Sequence, residues 1–188
     1  MFLNLQLYEA YTKESWVPGT GVAKPGSPTA ACSGTYESCT EVKMVSVTDP
    51  RVNSANQFAD TPSGVPDPDT AGPPWWLIGT EGGFMPKPVV VPQQPIGWNL
   101  DMGYFAFGIV NQHSIFLGSA ERADVVVDLS NYAGKTLILY NDSPAPVPAG
   151  AGVFDFYTGN GHQMDAGGAP NTLPGYGPNT RTIMQIRV

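Results

Sequence analysis

Between Gly118 and Asp128 the chain turns sharply and then commits to extended structure. Gly118-Ser119-Ala120 supplies small turn residues, Glu121-Arg122 adds an opposite-charge pair, and Ala123-Asp124-Val125-Val126-Val127-Asp128 follows. Valine is β-branched and stiff at χ1, and it packs well on a pleated surface, so the run predicts a buried strand over 123–129. Further short apolar runs bounded by Gly, Pro, Asn and Asp predict strands at 2–9, 41–47, 75–79, 87–91, 104–110, 114–117, 135–141 and 180–188. No segment carries a convincing helical period. Many short strands with turn signals between them describe an all-β sandwich or Greek-key barrel with long Pro/Gly-rich loops. The turn at 129–134 joins two of the clearest strands and leaves open whether they are neighbours or lie in opposite sheets.

Composition narrows the classes further. Gly (22) and Pro (19) are abundant and charged residues make up only 13%, a profile shared with disordered chains. Hydrophobic content of 41% and aromatic content of 11% argue instead for a folded, loop-rich β protein. A net charge of −7 disfavours nucleic acid and anionic membrane as partners, because both need a basic surface. No apolar run approaches the roughly 18 residues of a membrane span. The opening Met1-Phe2-Leu3-Asn4-Leu5-Gln6-Leu7-Tyr8-Glu9 lacks the basic leader of a signal peptide.

Several segments, in order, resemble the second domain of three-domain multicopper oxidases, the laccases and their relatives. The Glu121-Arg122-Ala123-Asp124 approach to the valine strand is one. Trp75-Trp76-Leu77-Ile78-Gly79-Thr80-Glu81-Gly82-Gly83-Phe84 is a second, and Gly134-Lys135-Thr136-Leu137-Ile138-Leu139-Tyr140-Asn141-Asp142 a third. The ending Gly177-Pro178-Asn179-Thr180-Arg181-Thr182-Ile183-Met184-Gln185-Ile186-Arg187-Val188 looks like that domain's closing strand, and Phe2–Glu9 like a strand near its start. The resemblance implies a cupredoxin-like fold and a domain that holds no copper. The family's copper sits in the first and third domains, which would be this chain's partners.

The histidines agree with that expectation. A blue copper centre needs two imidazoles and a thiolate. The chain offers His113 and His162, with no His-x-His and no His-Cys-His. Each reads as a lone surface or loop residue rather than a ligand, so the chain is expected to carry no catalytic, cofactor or metal site, with copper confined to the parent enzyme. No Gly-x-Ser-x-Gly elbow or recognisable triad is present. Gly79-Thr80-Glu81-Gly82-Gly83 reads as a glycine turn, since the following Met-Pro-Lys-Pro cannot open a phosphate-binding helix.

Structural roles remain for six residues. Glu121, Asp124 and Asp128 surround Arg122 and predict an ion pair that holds the start of the valine strand, with Arg122 substantially buried. Cys32 and Cys39 flank a glycine-bearing loop; the spacing leaves open a disulfide, two free thiols or a metal site, and Cys-x6-Cys is a poor zinc signature. A bridge would stabilise by roughly 2–3 kcal/mol in the chain-entropy model and would imply an oxidising compartment, extracellular or periplasmic. Asn141 and Asp142 read as turn formers, and the aromatics of 154–157 as loop packing with a cleft-lining role as the other option.

The domain reading is a single cupredoxin-like unit over 1–188, cut inside its N-terminal edge, with a long insertion within 12–74. The strand at 2–9 is amphipathic, with Leu3, Leu5 and Leu7 on one face and Asn4 and Gln6 on the other. The family places a further strand before it, so an open edge is expected there. Two functions follow. In one, the chain is the copper-free middle domain of an oxidase that takes electrons from phenolic, aromatic-amine or metal-ion substrates and reduces dioxygen to water. There it joins the copper-bearing domains and shapes the substrate cleft. In the other, it is a standalone secreted β-sandwich that binds or supports without catalysis.

Overall fold

A computed structural model describes residues 3–11, 16–17, 22–23, 32, 39–45, 51, 65–94, 97–98, 110–112, 115–141 and 182–188. Most of the expected insertion, the expected strand at 104–109, His113, His162, Asp142 and the aromatics of 154–157 lie outside the described residues. The strands are β1 (Leu3–Tyr11), β2 (Trp16–Val17), β3 (Val22–Ala23), β4 (Glu41–Val42), β5 (Met44–Val45), β6 (Val65–Pro66) and β7 (Trp75–Thr80). They continue with β8 (Gly83–Val91), β9 (Gly97–Trp98), β10 (Val110–Gln112), β11 (Phe116–Leu117), β12 (Ala123–Val126), β13 (Thr136–Asn141) and β14 (Thr182–Arg187). Two single turns of 3-10 helix, at Pro68–Thr70 and Ser130–Tyr132, are the only helical elements described. The chain is all-β and its strand pairings are antiparallel.

Two sheets dominate. One runs β11-β1-β13-β14 with β4 also on β1; the other runs β12-β7-β8. Leu7 and Leu137 from the first pack with Trp75 and Val91 from the second, and Leu77, Val125, Leu139 and Ile186 surround them. Each fully buried leucine there contributes roughly 1.5–3 kcal/mol. The turn at 129–134 therefore connects opposite sheets, which settles the alternative left open by the sequence. Gly134, at φ 76°, closes that turn, and its N–H donates to the Val188 carbonyl at 2.9 Å.

β1 departs from its expected role. Its alternation predicts one wet face, yet Asn4, Gln6, Tyr8 and Ala10 are all fully buried. The reason is a second apolar cluster on that face, where Tyr8 and Ala10 meet Cys39, Val42, Ile138 and Tyr140. The sheet is thus covered on both sides, and period-two alternation reports a wet face only where the other side is uncovered. The cost is visible: Asn4 Nδ2 and Gln6 Oε1 are buried and have no hydrogen-bond partner among the described residues.

Nor is β1 an open edge. β13 pairs along Leu5–Glu9, and β11 takes Leu3 and Asn4. Tyr8 bridges to Ala71, and Ala10 and Tyr11 pair with β4. Where no strand reaches, side chains complete the ladder: Trp75 Nε1 donates to the Leu5 carbonyl at 3.0 Å, and Leu7 N–H donates to Gln93 Oε1 at 2.9 Å. Gln93 Nε2 then donates to the Pro73 carbonyl at 2.6 Å, so a single glutamine satisfies two buried backbone groups. The Gly72 N–H reaches the Leu7 carbonyl at 2.7 Å, and a β-carbon at Gly72 would lie 2.7 Å from Leu7 Cβ. This close approach requires glycine.

The second sheet explains the glycine turn. Glu81-Gly82 links β7 to β8 as a two-residue hairpin, with Gly83 at φ 104°. Met85, Pro86, Lys87 and Pro88 then stand opposite Ile78 alone, because Leu77 pairs with Val89 and Gly79 with Phe84. Prolines cannot donate to a ladder, so they fall in this bulge on the sheet's outer strand.

Candidate functional site

The six residues singled out in the sequence do not form one cluster. Glu121 closes its own turn: the Gly118 N–H donates to Glu121 Oε2 at 2.6 Å, and Glu121 N–H donates to the Gly118 carbonyl at 3.2 Å. Ala120 sits in that turn at φ 67°, a left-handed conformation uncommon for a residue with a β-carbon. Arg122 is not buried. Its side chain is 80% exposed and pairs with Glu81 at 3.0 Å, across the sheet from β12 to the hairpin turn, rather than with Glu121, Asp124 or Asp128. β12 lies at the rim of a three-stranded sheet, so a long side chain there extends into water. Asp124 is exposed beside Gly79, where an added β-carbon would lie 2.9 Å from Asp124 Oδ2. Asp128, just ahead of the 3-10 turn, accepts the Ser130 N–H on Oδ1 at 2.9 Å; the Ser130 side chain, and then this backbone bond, hold its carboxyl below the usual carboxylate range. The valine run is also only half-buried: Val125 and Val127 join the core while Val126 is 52% exposed.

Cys32 and Cys39 form a disulfide. Both cysteines of the chain are thereby consumed, leaving no thiolate for a blue copper set. Cys39 is buried in the cluster around Tyr8 and Tyr140, and Cys32 packs against it, so the bridge joins Cys32 to the core. Asn141 is a sheet residue rather than a turn former: it is buried, pairs with Leu5, and accepts the Asn4 N–H on Oδ1 at 3.0 Å.

The stronger ionic cluster is one that sequence reading passed over. Asp67 is fully buried; Lys43 Nζ lies 2.7 Å from its Oδ2 as an ion pair, and Arg51 Nη1 donates to its Oδ1 at 3.0 Å. Arg51 also bonds Asp69, and Asp67 Oδ1 accepts the Asp69 N–H at 3.1 Å. Asp67 caps the Pro68–Thr70 turn with proline at its first position. Asp-Pro is a start signal legible in sequence, although its two basic partners, 16 and 24 residues upstream, are not.

A cleft of about 500 Å³ opens where the two sheets meet the 129–134 turn. Glu9 of β1, Pro73, Pro74 and Trp76 on the approach to and within β7, Asp128, Asn131 and Tyr132 of the turn, and Lys135 line it. Lys135 Nζ lies 2.6 Å from Glu9 Oε1 and 5.2 Å from the Tyr132 ring centroid. Burial, and then the Glu9 carboxylate, push the Tyr132 hydroxyl above its ordinary range, while Lys135 pulls the other way. Among the described residues no group of three or more His, Cys, Asp or Glu is placed to hold a metal ion. No helix among them is long and apolar enough to cross a membrane.

No family profile, curated protein or solved structure matches this chain in comparison with known proteins. The likeness to multicopper oxidases therefore rests on the sequence segments themselves.

Proposed function

We propose that this chain is the copper-free middle domain of a multicopper oxidase, with a cupredoxin-like Greek-key arrangement, acting between copper-bearing first and third domains. The observation that carries the reading is an apolar row on the outer face of the three-stranded sheet. Val126, Trp76 and Val90 are direct cross-strand partners, and each is 43–52% exposed. Neighbours in such a row share a face, and the face opposite the core has no cover among the described residues. A domain that sits between two others needs such a surface. The segments that resemble the family also build the two facing sheets, so the likeness falls on the framework rather than on loops.

In this role the chain joins the electron-accepting and oxygen-reducing domains and shapes the approach of phenolic, aromatic-amine or metal-ion substrates, whose electrons reduce dioxygen to water. The disulfide supports an extracellular or periplasmic setting. The test is reconstitution. The coding sequence on either side is read for frames carrying His-x-x-His-x-His and His-Cys-His, and their products are co-expressed with this chain. The proposal expects a co-purifying, blue, phenol-oxidising assembly, and no blue colour or turnover from this chain with copper alone. Flanking stop codons without such frames would turn the reading to a standalone secreted β-sandwich module.

A further inference from the structure

We infer that the cleft between Trp76 and the 129–134 turn binds a small organic cation, an aryl- or alkylammonium group with an apolar flank. This inference concerns the chain by itself and does not need the family reading, although it shares Trp76 with the apolar row assigned there to a neighbouring domain. Three observations converge. Trp76, Pro73 and Pro74 give the cleft an apolar wall, and Trp76 is 43% exposed, leaving indole surface for a ligand. The cation already present is committed: Lys135 is 2.6 Å from Glu9 and stands over the Tyr132 ring. The carboxylate left over is Asp128, which has no ion-pair partner among the described residues and accepts hydrogen bonds only from the Ser130 side chain and, on Oδ1, the Ser130 N–H among them. Glu9, Lys135 and Asp128 sum to one negative charge beside an aromatic face, in a chain of net charge −7. An anion would meet an uncompensated carboxylate, and a neutral ring would leave that charge unused. An ammonium on an apolar stem satisfies both, through Coulomb attraction to Asp128 and a cation–π contact of the kind tryptophan makes best.

The experiment titrates the folded chain with benzylammonium, benzyl alcohol and benzoate while following indole N–H resonances. Trp75, whose indole donates to the Leu5 carbonyl, serves as an internal control. Saturable shifts of the Trp76 indole are expected with benzylammonium at about millimolar concentration, with little from benzoate and weaker ones from benzyl alcohol. Asp128→Asn keeps an oxygen acceptor for the Ser130 N–H and should weaken benzylammonium roughly two- to fivefold, in line with exposed ion pairs, while sparing benzyl alcohol. Trp76→Leu, followed through the backbone amides of Asn131 and Tyr132 in the same cleft, should weaken both, and added salt should weaken benzylammonium alone. Benzoate or benzyl alcohol binding as tightly as benzylammonium would overturn the proposal. So would an Asp128→Asn variant, folded by its amide spectrum, that binds benzylammonium unchanged, or the absence of any saturable Trp76 shift.

Discussion

Charge at a single residue counts only through where it is placed. Arg122 stands among carboxylates in the sequence while Asp67 has no basic residue close to it, yet the structure gives the greater weight to Asp67. Arg122 is 80% exposed beside Glu81, and exposed pairs contribute about 0–1 kcal/mol, so Arg122→Ala should leave the urea midpoint almost unchanged. Asp67 is fully buried and satisfies Lys43 and Arg51 together; Asp67→Ala should cost about 3 kcal/mol in the same measurement. Tyr11 adds a pH dependence. Burial first, then Asp67, Glu9 and Asp69, raise its hydroxyl to about 12 from 10.0. The folded chain therefore keeps the phenol proton after the unfolded chain has released it. The stability this group contributes is present below pH 10.0 and is lost as pH rises from there toward about 12. Chemical denaturation midpoints should fall across that window, and Tyr11→Phe should flatten the fall.

Among the elements, β1 shows how a strand's neighbours override its pattern. A strand of alternating leucine with Asn4 and Gln6 would stand at a wet surface in a two-layer sheet. Here it becomes the middle of a sheet covered on both faces, and borrowed side chains complete its ladder. The buried Gln93 offers the most direct test. Gln93→Ala removes the partner of the Leu7 N–H and of the Pro73 carbonyl at once, and at about 1–3 kcal/mol for each orphaned group it should cost roughly 2–6 kcal/mol. Hydrogen exchange at the Leu7 amide should accelerate well beyond that of its β13-paired neighbours if the side chain is what protects it. At Gly72, alanine would press its β-carbon on Leu7 and should cost about 1–3 kcal/mol by thermal melting.

For the molecule as a whole, the surface at risk is not the one the N-terminal strand suggested. β1 is closed; the uncovered apolar surface among the described residues is the Val126-Trp76-Val90 row together with Phe84 and Val89 of β8, with Ile183 and Met184 half-exposed on β14, the last strand of the larger sheet. Such surface favours association. Sedimentation of the chain alone should show concentration-dependent self-association. Val126→Lys, on a position already open to solvent, should reduce it without lowering the melting temperature. A monomer at every concentration would remove the reason for a neighbouring domain on that face.

Some of this molecule was legible residue by residue. β-branched runs, glycine turns and proline punctuation are local properties, and they placed β7, β12, β13 and β14 and the all-β class, because strand and turn preferences act within a few residues. The glycine turn at Glu81-Gly82 and the Asp-Pro start at Asp67 belong to the same local grammar. What the local pattern could not decide is how many sides of a strand are covered. Tyr8 and Ala10, on the same face as the buried Asn4 and Gln6, are covered because Cys39, Val42 and Tyr140, distant in sequence, close over them. Arg122 is exposed because β12 ends its sheet, and Asp67 is central because Lys43 and Arg51 fold back onto it. The cleft exists only where Glu9, Trp76, Asp128 and Lys135 converge. Burial and ion pairing depend on contacts between distant segments, and those are set by the packing of the two sheets, not by any single stretch of chain.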